Sequence, residues 1–488
     1  MPPTKKPGVR LVKYDRLVAR VFEVVMLASF IRKVHGSHIT VQYDLTTTTG
    51  ARRRFLQNLA SLCDYGKGGP STTAICVEER QDCYVAWVAS NKGASPEVVA
   101  FLASILEALR TASASNDQER DNLEVNLVRV AATFARDRVF KEWKLLVKSA
   151  ARARAALNQP GDQANDLIRW LEQFQIHRGQ TPASMCRLAY DVRHSQQMKT
   201  IELRHSLLNE PSFAASFTQL ERVTHMVGRL AARVRAVKHL VDDALRLEQY
   251  LGNPWVVSVV PAPEPAPVPE ADRNTKLPSI LRRMMETDDP DYERLLNCFK
   301  TLDKACSITD GILSKHAGGE TPLKPIVHCE VQLVDHFHNQ RLAFWEDDPY
   351  VACSKPACLL CRLYMKYHPI PFAETDSHNK IPNNWGPALL RDGDRNPRFA
   401  EYRDILNAMI KDIRAPILQQ IGTVSPSSTF HADSLDQITR LDADPFGYLE
   451  TDSAYLIDLE RNDDPEVHSF GSVSDDASDT DSDGGARL

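Results

Sequence analysis

The sequence lacks the long apolar runs that would cross a membrane or direct a chain to secretion. Its longest apolar stretch, from Val21 to Ile31, is interrupted by Glu23 and is much shorter than the roughly 20 residues of a membrane-spanning helix. The N-terminus is basic, but charged residues follow closely, where a signal peptide needs an unbroken apolar region. We therefore expect no membrane segment and an intracellular location, in the cytoplasm or the nucleus.

Cysteine and excess positive charge are both scarce. Ten cysteines in 488 residues are too few for a disulfide scaffold, and in a reducing compartment clustered cysteines indicate a metal or catalytic site. The net charge of −5 excludes a global basic field that would attract nucleic acid. Six cysteines are scattered, and we expect them to pack as small apolar side chains. The other four fall within 33 residues: Cys329, Cys353, Cys358 and Cys361.

Two stretches of the chain have clear periodicity. The runs Thr72 to Glu79 and Cys83 to Ser90 are rich in β-branched and aromatic residues and flank a short polar turn, which predicts a β-hairpin. After Pro96, apolar residues recur at helical spacing as far as about Leu251, which predicts an all-helical block. The chain thus combines a short sheet element with a long run of helices.

Two further stretches are rich in residues that disfavour regular structure. Five prolines in residues 260–270 predict an extended linker. The acidic, serine-rich end has too little apolar surface to offset the entropy of ordering, and we expect it to be disordered. The chain then divides into 1–69, an N-terminal helical region; 70–92, the hairpin; 96–255, the helical block; 256–272, the Pro-rich linker; 273–324, a helical connector; 325–390, the cysteine-containing segment; 391–460, a C-terminal helical extension; and 461–488, the disordered tail.

The cysteine-containing segment carries a set of residues typical of a metal site. A helical pattern opens at His328, which offers a first ligand. Pro356 marks the start of a second helix, so Cys358 and Cys361 would share one face of its first turns, where the helix dipole favours thiolates. Three protein ligands leave the fourth position of a tetrahedral zinc ion to water, which ionises near neutral pH there. Glu330 need not bind the ion and is free to act as a proton shuttle.

The order of these residues, HCE at 328–330 and CSKPACLLC at 353–361, is that of the zinc deaminases that act on nucleobases. At these positions the sequence resembles the cytidine deaminase superfamily, and more closely its toxin-like branch that is expanded in fungi. The resemblance implies a zinc-dependent hydrolytic deaminase acting on a nucleobase-type substrate, free or in nucleic acid. It also implies an α/β fold, a cytidine-deaminase-like α/β/α sandwich made discontinuously from residues 70–92 and 325–390, with the helical block as a large insertion.

The same resemblance implies three substrate-binding residues. Asn91, at the end of the second hairpin strand, takes the place of a substrate-contacting Asn in similar enzymes. His378 and Trp385 lie in HNKIPNNW, at 378–385, which looks like a His-Gly-Lys-x-Tyr-Pro-x-Trp segment of the family. The chain departs from the family pattern at four positions: Asn379 replaces glycine, Pro382 comes one position early, Ala357 separates Pro356 from Cys358, and Cys329 stands where alanine is commoner.

Two alternatives to a deaminase remain open at this point. Cys358 and Cys361 could belong to a closed structural zinc site that also recruits Cys353 and either His328 or His368. The protein could also be a catalytically inactive, zinc-stabilised scaffold that works as an interaction protein. The carboxylate beside the histidine favours the enzyme, because a structural site does not need it.

The stretch Val128 to Arg154 is locally basic, with eight Lys and Arg residues against two acidic ones and three interleaved aromatic residues. Phosphate contacts with nucleic acid need such a stripe. The alternative is an amphipathic helix whose basic outer face is simply solvated and whose aromatic residues lie in the core. The sequence leaves both interpretations of this stripe open.

Overall fold

A computed structural model of the protein describes residues 12–31, 38–110, 116–157, 162–204, 211–286, 288–382 and 384–423. The predicted disordered tail, the second half of the C-terminal extension and Asn383 of the HNKIPNNW segment lie outside these residues. The described residues form a mixed α/β fold in which helices surround a four-stranded mixed sheet. None of the described helices has both the length and the apolar character needed to cross a membrane.

Four strands and sixteen α-helices account for the main regular structure of the described residues. The strands are β1 (Thr73–Glu79), β2 (Tyr84–Ser90), β3 (Trp255–Val259) and β4 (Ala352–Cys353). The helices are α1 (Lys13–Ile31), α2 (Thr48–Cys63), α3 (Pro96–Arg110), α4 (Asp117–Phe134), α5 (Arg136–Leu157), α6 (Asp162–Leu171), α7 (Pro182–Val192), α8 (Gln196–Arg204), α9 (Pro211–Arg246), α10 (Glu248–Leu251), α11 (Leu277–Met284), α12 (Tyr292–Cys306), α13 (Ile308–Lys315), α14 (Cys329–Gln340), α15 (Leu359–Tyr367) and α16 (Phe399–Thr423).

The predicted hairpin is confirmed and forms the centre of the sheet. β1 and β2 pair antiparallel, with Thr73 opposite Ser90 and Glu79 opposite Tyr84. β4 pairs antiparallel with the other edge of β1, and β3 lies parallel to β2, which gives the order β3-β2-β1-β4. Every residue of β1 except Glu79 is buried, because helices cover both faces of the sheet.

Two hydrophobic cores lie on the two faces of the sheet. Ile75 and Val77 face one core, which contains α2, α3 and the helices of the helical block. Ala74 and Cys76 face the other core, which contains α1, α14, α15 and α16. This alternation follows from the two-residue period of a strand. It places the cysteine-containing helices on the face opposite the helical block.

The longest helix of the predicted helical block is α9, with 36 residues. It packs against α2, α4, α5 and α7. The spacing of apolar residues predicts one buried face for this helix, at Leu220, Val223, Val227, Leu230, Val234, Val237, Val241 and Leu245. Seven of these eight positions are buried, and Leu245 near the end of the helix is exposed. The prediction holds because the three-and-four spacing of apolar residues leaves one continuous face for burial.

The region around the Pro-rich segment differs from the sequence-based prediction. The sequence predicts helix up to residue 255 and then a free linker, whereas Trp255–Val259 forms β3 beside β2. The Pro-rich residues that follow lie against the sheet domain. Ala266 is fully buried and its N–H donates to the carbonyl oxygen of Pro387 at 2.8 Å. Proline has no backbone N–H, but the residues between the prolines keep theirs. The segment is therefore extended and still forms backbone hydrogen bonds with its neighbours.

Candidate active site

The first predicted ligand residue lies where α14 meets the end of β2. His328 is the N-cap residue of α14 and has an extended backbone. The side-chain oxygen of Asn91, one residue beyond β2, accepts the N–H of Cys329 at 2.9 Å. The side chain of Gln332 donates to the carbonyl oxygen of Ser90 at 3.2 Å. These bonds hold the first turn of α14 against the sheet and therefore fix the position of His328.

The two predicted cysteine ligands lie at the start of α15, which begins later than the sequence suggests. Pro356 predicts a helix start, but α15 begins at Leu359 and Cys358 is its N-cap residue. The preceding residues stay extended because the N–H of Ala357 donates to a neighbouring loop carbonyl at 2.7 Å. Cys358 Sγ accepts the N–H of Cys361 at 3.4 Å, so both sulfurs lie at the positive end of the helix dipole.

Three potential ligand atoms meet at this point. The Sγ atoms of Cys358 and Cys361 are 3.4 Å apart, and His328 Nδ1 lies 3.7 Å from the first and 3.4 Å from the second. Zinc bonds of about 2.3 Å to sulfur and about 2.0 Å to nitrogen place tetrahedral ligands about 3.5–3.8 Å apart. The three side chains therefore fit a zinc ion, and two thiols with an imidazole are a donor set that zinc favours.

The protonation states of these three side chains also favour a cation. Burial raises the pKa of a thiol, yet the hydrogen bond from Cys361 and the charge of His328 hold the pKa of Cys358 below its usual value. Burial lowers the pKa of His328, but the Cys358 thiolate outweighs this effect and raises it. Burial is also the main reason that the pKa of Cys361 is raised. The group thus contains one thiolate, and an incoming metal ion would displace the remaining protons.

Glu330 lies beside the three ligand residues without joining them. It is the second residue of α14 and is only 4% exposed. The S–H of Cys329 donates to Glu330 Oε2 at 3.4 Å, and Cys353 Sγ lies 4.0 Å from Cys329 Sγ. Burial raises the pKa of Cys329, which therefore remains a thiol. A buried carboxylate next to a metal-binding group is suited to general acid–base chemistry.

Cys353 and His368 are the further ligands that a closed structural zinc site would recruit. In the described part of the chain, both lie in groups separate from that of His328, Cys358 and Cys361. Cys353 forms a separate group with Cys329 and Glu330. His368 forms a third group with side chains of α14 and α16. Among the described residues, the group of His328, Cys358 and Cys361 therefore contains neither of the two additional ligands that this alternative would recruit.

Residues 327–388 match a protein-family model described as OTT_1508_deam-like deaminase. This segment is similar to a deaminase family. The deaminase segment, as we call residues 327–388, is about an eighth of the chain; it includes Glu330 and the three ligand residues but not the hairpin or the helical block. No curated protein and no solved structure matches the chain. The match supports a deaminase, and the grouping of His328, Cys358 and Cys361 is compatible with a metal ion.

Asn91 connects the deaminase segment to the loop that follows α2. The Oδ1 atom of Asn91 accepts the N–H of Cys329 at the start of α14, and its Nδ2 donates to the carbonyl oxygen of Gly69 at 2.9 Å. Lys355 in the deaminase segment donates to the carbonyl oxygen of Gly68 at 2.6 Å. Residues 64–71, here called the glycine loop, therefore border the site. The sequence signal for this loop is GKGG at 66–69, since Gly68 has a φ of +91°, a conformation that favours glycine.

His378 and Trp385, the other two predicted substrate-binding residues, are both buried. Burial is the main cause that lowers the pKa of His378 to about 3, with smaller contributions from neighbouring cationic groups that include His328. The His378 ring is therefore neutral at physiological pH. Trp385 is 0% exposed and lies in the core that contains α14 and α15, where its backbone pairs with that of Ile326, two residues before His328.

Only some of the basic and aromatic side chains of residues 128–154 are exposed. Arg138 is buried and pairs with Asp64 at 2.8 Å and with Glu142 at 2.9 Å. The Trp143 ring is buried as well, as expected for a core residue. The exposed cations of α5 then form a line with helical spacing along its outer face: Lys141, Lys144, Lys148 and Arg152.

Proposed function

We propose that the protein is a zinc-dependent hydrolytic deaminase that acts on a nucleobase-type substrate, and that it belongs to the fungal toxin-like branch of the cytidine deaminase superfamily. The observation that carries the proposal is the convergence of three ligand atoms within 3.7 Å of one another, beside a buried carboxylate. All of these residues lie inside the segment that matches a deaminase family. A scaffold would have no use for the carboxylate or for an open ligand position.

Each residue has a distinct role in this proposal. His328, Cys358 and Cys361 hold the ion, which when bound activates a water molecule for attack on the ring carbon that carries the amino group. Glu330 would transfer two protons in turn through a carboxylate oxygen: the first from the attacking water to the ring nitrogen, and the second from the oxygen added to the ring carbon to the amino group, which leaves as ammonia as its C–N bond breaks. The burial of Glu330 keeps bulk water from competing for that proton. Asn91 and His378 remain proposed substrate contacts, and Trp385 is proposed to support them from the core.

We propose that residues 70–92 and 325–390 form one discontinuous cytidine-deaminase-like sandwich, with residues 96–255 inserted between them. The pairing of β4 with β1 supports this, as does the packing of α14 against β1 and β2. An intracellular location is supported by the ten cysteines, all of which are free thiols, since thiolate ligands persist in a reducing compartment.

The test combines metal content with ammonia release. The purified protein should carry about one zinc per chain and release ammonia from a member of a panel of free bases, nucleosides, single-stranded DNA and RNA. Glu330→Gln should abolish release and retain zinc, because the amide cannot carry the proton. Cys361→Ser should lose the metal, because one of three protein ligands is removed.

The matched control is Glu107→Gln, which makes the same change on the exposed face of α3 and should leave both readouts unchanged. Full activity in Glu330→Gln, or full activity of a zinc-free protein, would contradict the proposal. Retention of zinc without ammonia release from any substrate would favour the zinc-stabilised scaffold.

The nucleic-acid arms of the panel also test the basic helix. If the substrate lies in nucleic acid, the exposed line on α5 is the surface proposed to bind its phosphates, and binding should weaken steeply with salt. Replacing Lys141, Lys144 and Lys148 with glutamine should then raise KM for single-stranded DNA or RNA and leave KM for a free nucleoside unchanged. If the substitutions leave KM for single-stranded DNA or RNA unchanged, these cations do not bind the substrate and are simply solvated.

A further inference from the structure

Three backbone carbonyl groups of the glycine loop are each bound by a side chain from a different part of the chain. The three pairs are Arg138 with Gly66 at 3.1 Å, Lys355 with Gly68 at 2.6 Å, and Asn91 with Gly69 at 2.9 Å. Arg138 belongs to the helical block, Lys355 to the deaminase segment, and Asn91 to the end of β2. The conformation of the loop therefore depends on all three parts at once.

Arg138 makes the most extensive of these contacts. Its side chain is 8% exposed, and its guanidinium also donates to the carbonyl oxygen of Asp64 at 3.1 Å and to Asp64 Oδ2 at 2.8 Å. Hydrogen bonds from a charged donor to a carboxylate are stronger than neutral ones, and the rigid, planar guanidinium satisfies several acceptors in one geometry. All three bonds come from Nη1, while Nε donates to Glu142 at 2.9 Å, so a lysine, which has a single nitrogen, could not bind the loop and Glu142 together.

Glu142 holds Arg138 in place from one turn further along α5, at 2.9 Å. Glu142 also faces Arg229 at 2.9 Å and Arg233 at 3.5 Å, both from α9. Burial alone would raise the pKa of Glu142, but the arginines outweigh burial and lower it to about 2, so the carboxylate stays ionised. The two longest helices of the block therefore fix the guanidinium that binds the loop.

We propose that the helical block positions the glycine loop at the active site and that Arg138 is the positioning residue that transmits its influence. The inference rests on the proposed function, because it assigns the loop a role in that site. The loop reaches both metal-bearing segments. Asn91 bonds the N–H of Cys329, next to His328, and Lys355 lies three residues before Cys358. A displaced loop would release Asn91 and Lys355 together and loosen both segments.

The test compares Arg138→Lys with Arg229→Met in the full chain. Both substitutions weaken the pairing of Glu142, but only the first removes contacts to the loop, so Arg229→Met is the matched control. Hydrogen exchange of a peptide covering residues 64–72 should accelerate about tenfold or more in Arg138→Lys, as the loss of one or two charge-assisted hydrogen bonds predicts. A peptide from α9 serves to detect a general loss of stability. Its hydrogen-exchange rate should rise no more in Arg138→Lys than in Arg229→Met. Release of zinc to a chromogenic chelator should accelerate in Arg138→Lys alone.

Two results would overturn the proposal. One is that Arg138→Lys accelerates hydrogen exchange equally in the loop peptide and the α9 peptide; the other is that the loop peptide exchanges at the same rate in Arg138→Lys and Arg229→Met. If Arg138→Lys fails to fold, Asp64→Asn weakens the contact from the loop side. Asp64 Oδ1 also accepts the Ser71 hydroxyl at 2.6 Å, so Ser71→Ala is its control, and loop exchange should accelerate more in Asp64→Asn than in Ser71→Ala. If the wild type binds no zinc, the proposed function fails, while the exchange comparison still decides whether Arg138 positions the loop.

Discussion

Replacing Glu142 with glutamine should destabilise the protein strongly, although the residue lies outside the proposed active site. Its carboxylate is 2% exposed and faces three arginines, two of them within 2.9 Å. Glutamine has nearly the same shape but no charge, and its amide group would point donors at guanidinium groups that are themselves donors. The substitution therefore leaves Arg138 paired with Asp64 and removes the carboxylate that Arg229 and Arg233 face.

Two independent arguments give the magnitude of this effect. The pKa of Glu142 is lowered from 4.5 to about 2, and each unit corresponds to about 1.4 kcal/mol, so ionisation contributes about 3 kcal/mol to stability. Removing one member of a buried ion pair costs about 3–5 kcal/mol, because the partner charge is left without compensation. We therefore expect the free energy of unfolding at pH 7 to fall by about 3–5 kcal/mol.

Urea denaturation followed by circular dichroism measures this loss. Glu124→Gln is the matched control, because Glu124 pairs with Lys238 at 2.9 Å near the surface, and the expected loss there is below about 1 kcal/mol. The folded-state pKa of Glu142 lies below the unfolded value, so its contribution is complete above pH 4.5 and is lost as the pH falls towards 2. The difference in the free energy of unfolding between wild type and Glu142→Gln should therefore decrease as the pH falls from 4.5 to 3. A loss below 1 kcal/mol at pH 7, or a gap that does not change with pH, would refute the reasoning.

Three further substitutions have defined outcomes. Asp376→Asn should raise the free energy of unfolding above pH 6 by up to about 3 kcal/mol, because burial raises the pKa of this carboxyl to about 6 and penalises its ionised form; the gain should vanish below pH 4 in the urea assay. Asn91→Ala removes the acceptor of the Cys329 N–H and should weaken zinc binding about tenfold in competition with a chelator; unchanged affinity would show that β2 does not position the ligands. Trp385→Ala should lower the free energy of unfolding by about 3–5 kcal/mol, and Trp385→Phe by clearly less, since the ring is fully buried.

The parts of the structure that the sequence predicts are those that depend on short spacings. The hairpin follows from two runs of β-branched and aromatic residues and a turn, and the buried face of α9 follows from a repeat of three and four residues. Cys358 and Cys361 are three residues apart and meet because a helix begins between them. His328 joins them from another element, and its grouping with them was suggested by the resemblance to deaminases.

The parts that the sequence does not predict depend on distant contacts. Glu142 reads as one of two acidic residues in a basic stripe, but its partners Arg229 and Arg233 follow more than 80 residues later. Arg138 likewise reads as a surface cation and is instead buried against Asp64. β3 is a different case: Trp255–Val259 is a run rich in β-branched residues between Pro254 and Pro261, a local strand signal that the prediction of a helical block followed by a linker overlooks.

The position of β3 explains how a block of about 160 residues can lie within the proposed domain without disturbing its sheet. The chain leaves the sheet at the end of β2 and returns as β3, parallel to β2 and on its outer edge, so the order of β2, β1 and β4 is not interrupted. The helices of the block then share one core with Ile75, Val77 and Val88 of the hairpin. Deleting the block would expose that face of the sheet to water, and the Glu142 network would lose its arginines at the same time. The helical block is therefore a covering layer of the sheet as well as the source of Arg138, which is why its stability and the position of the glycine loop should change together.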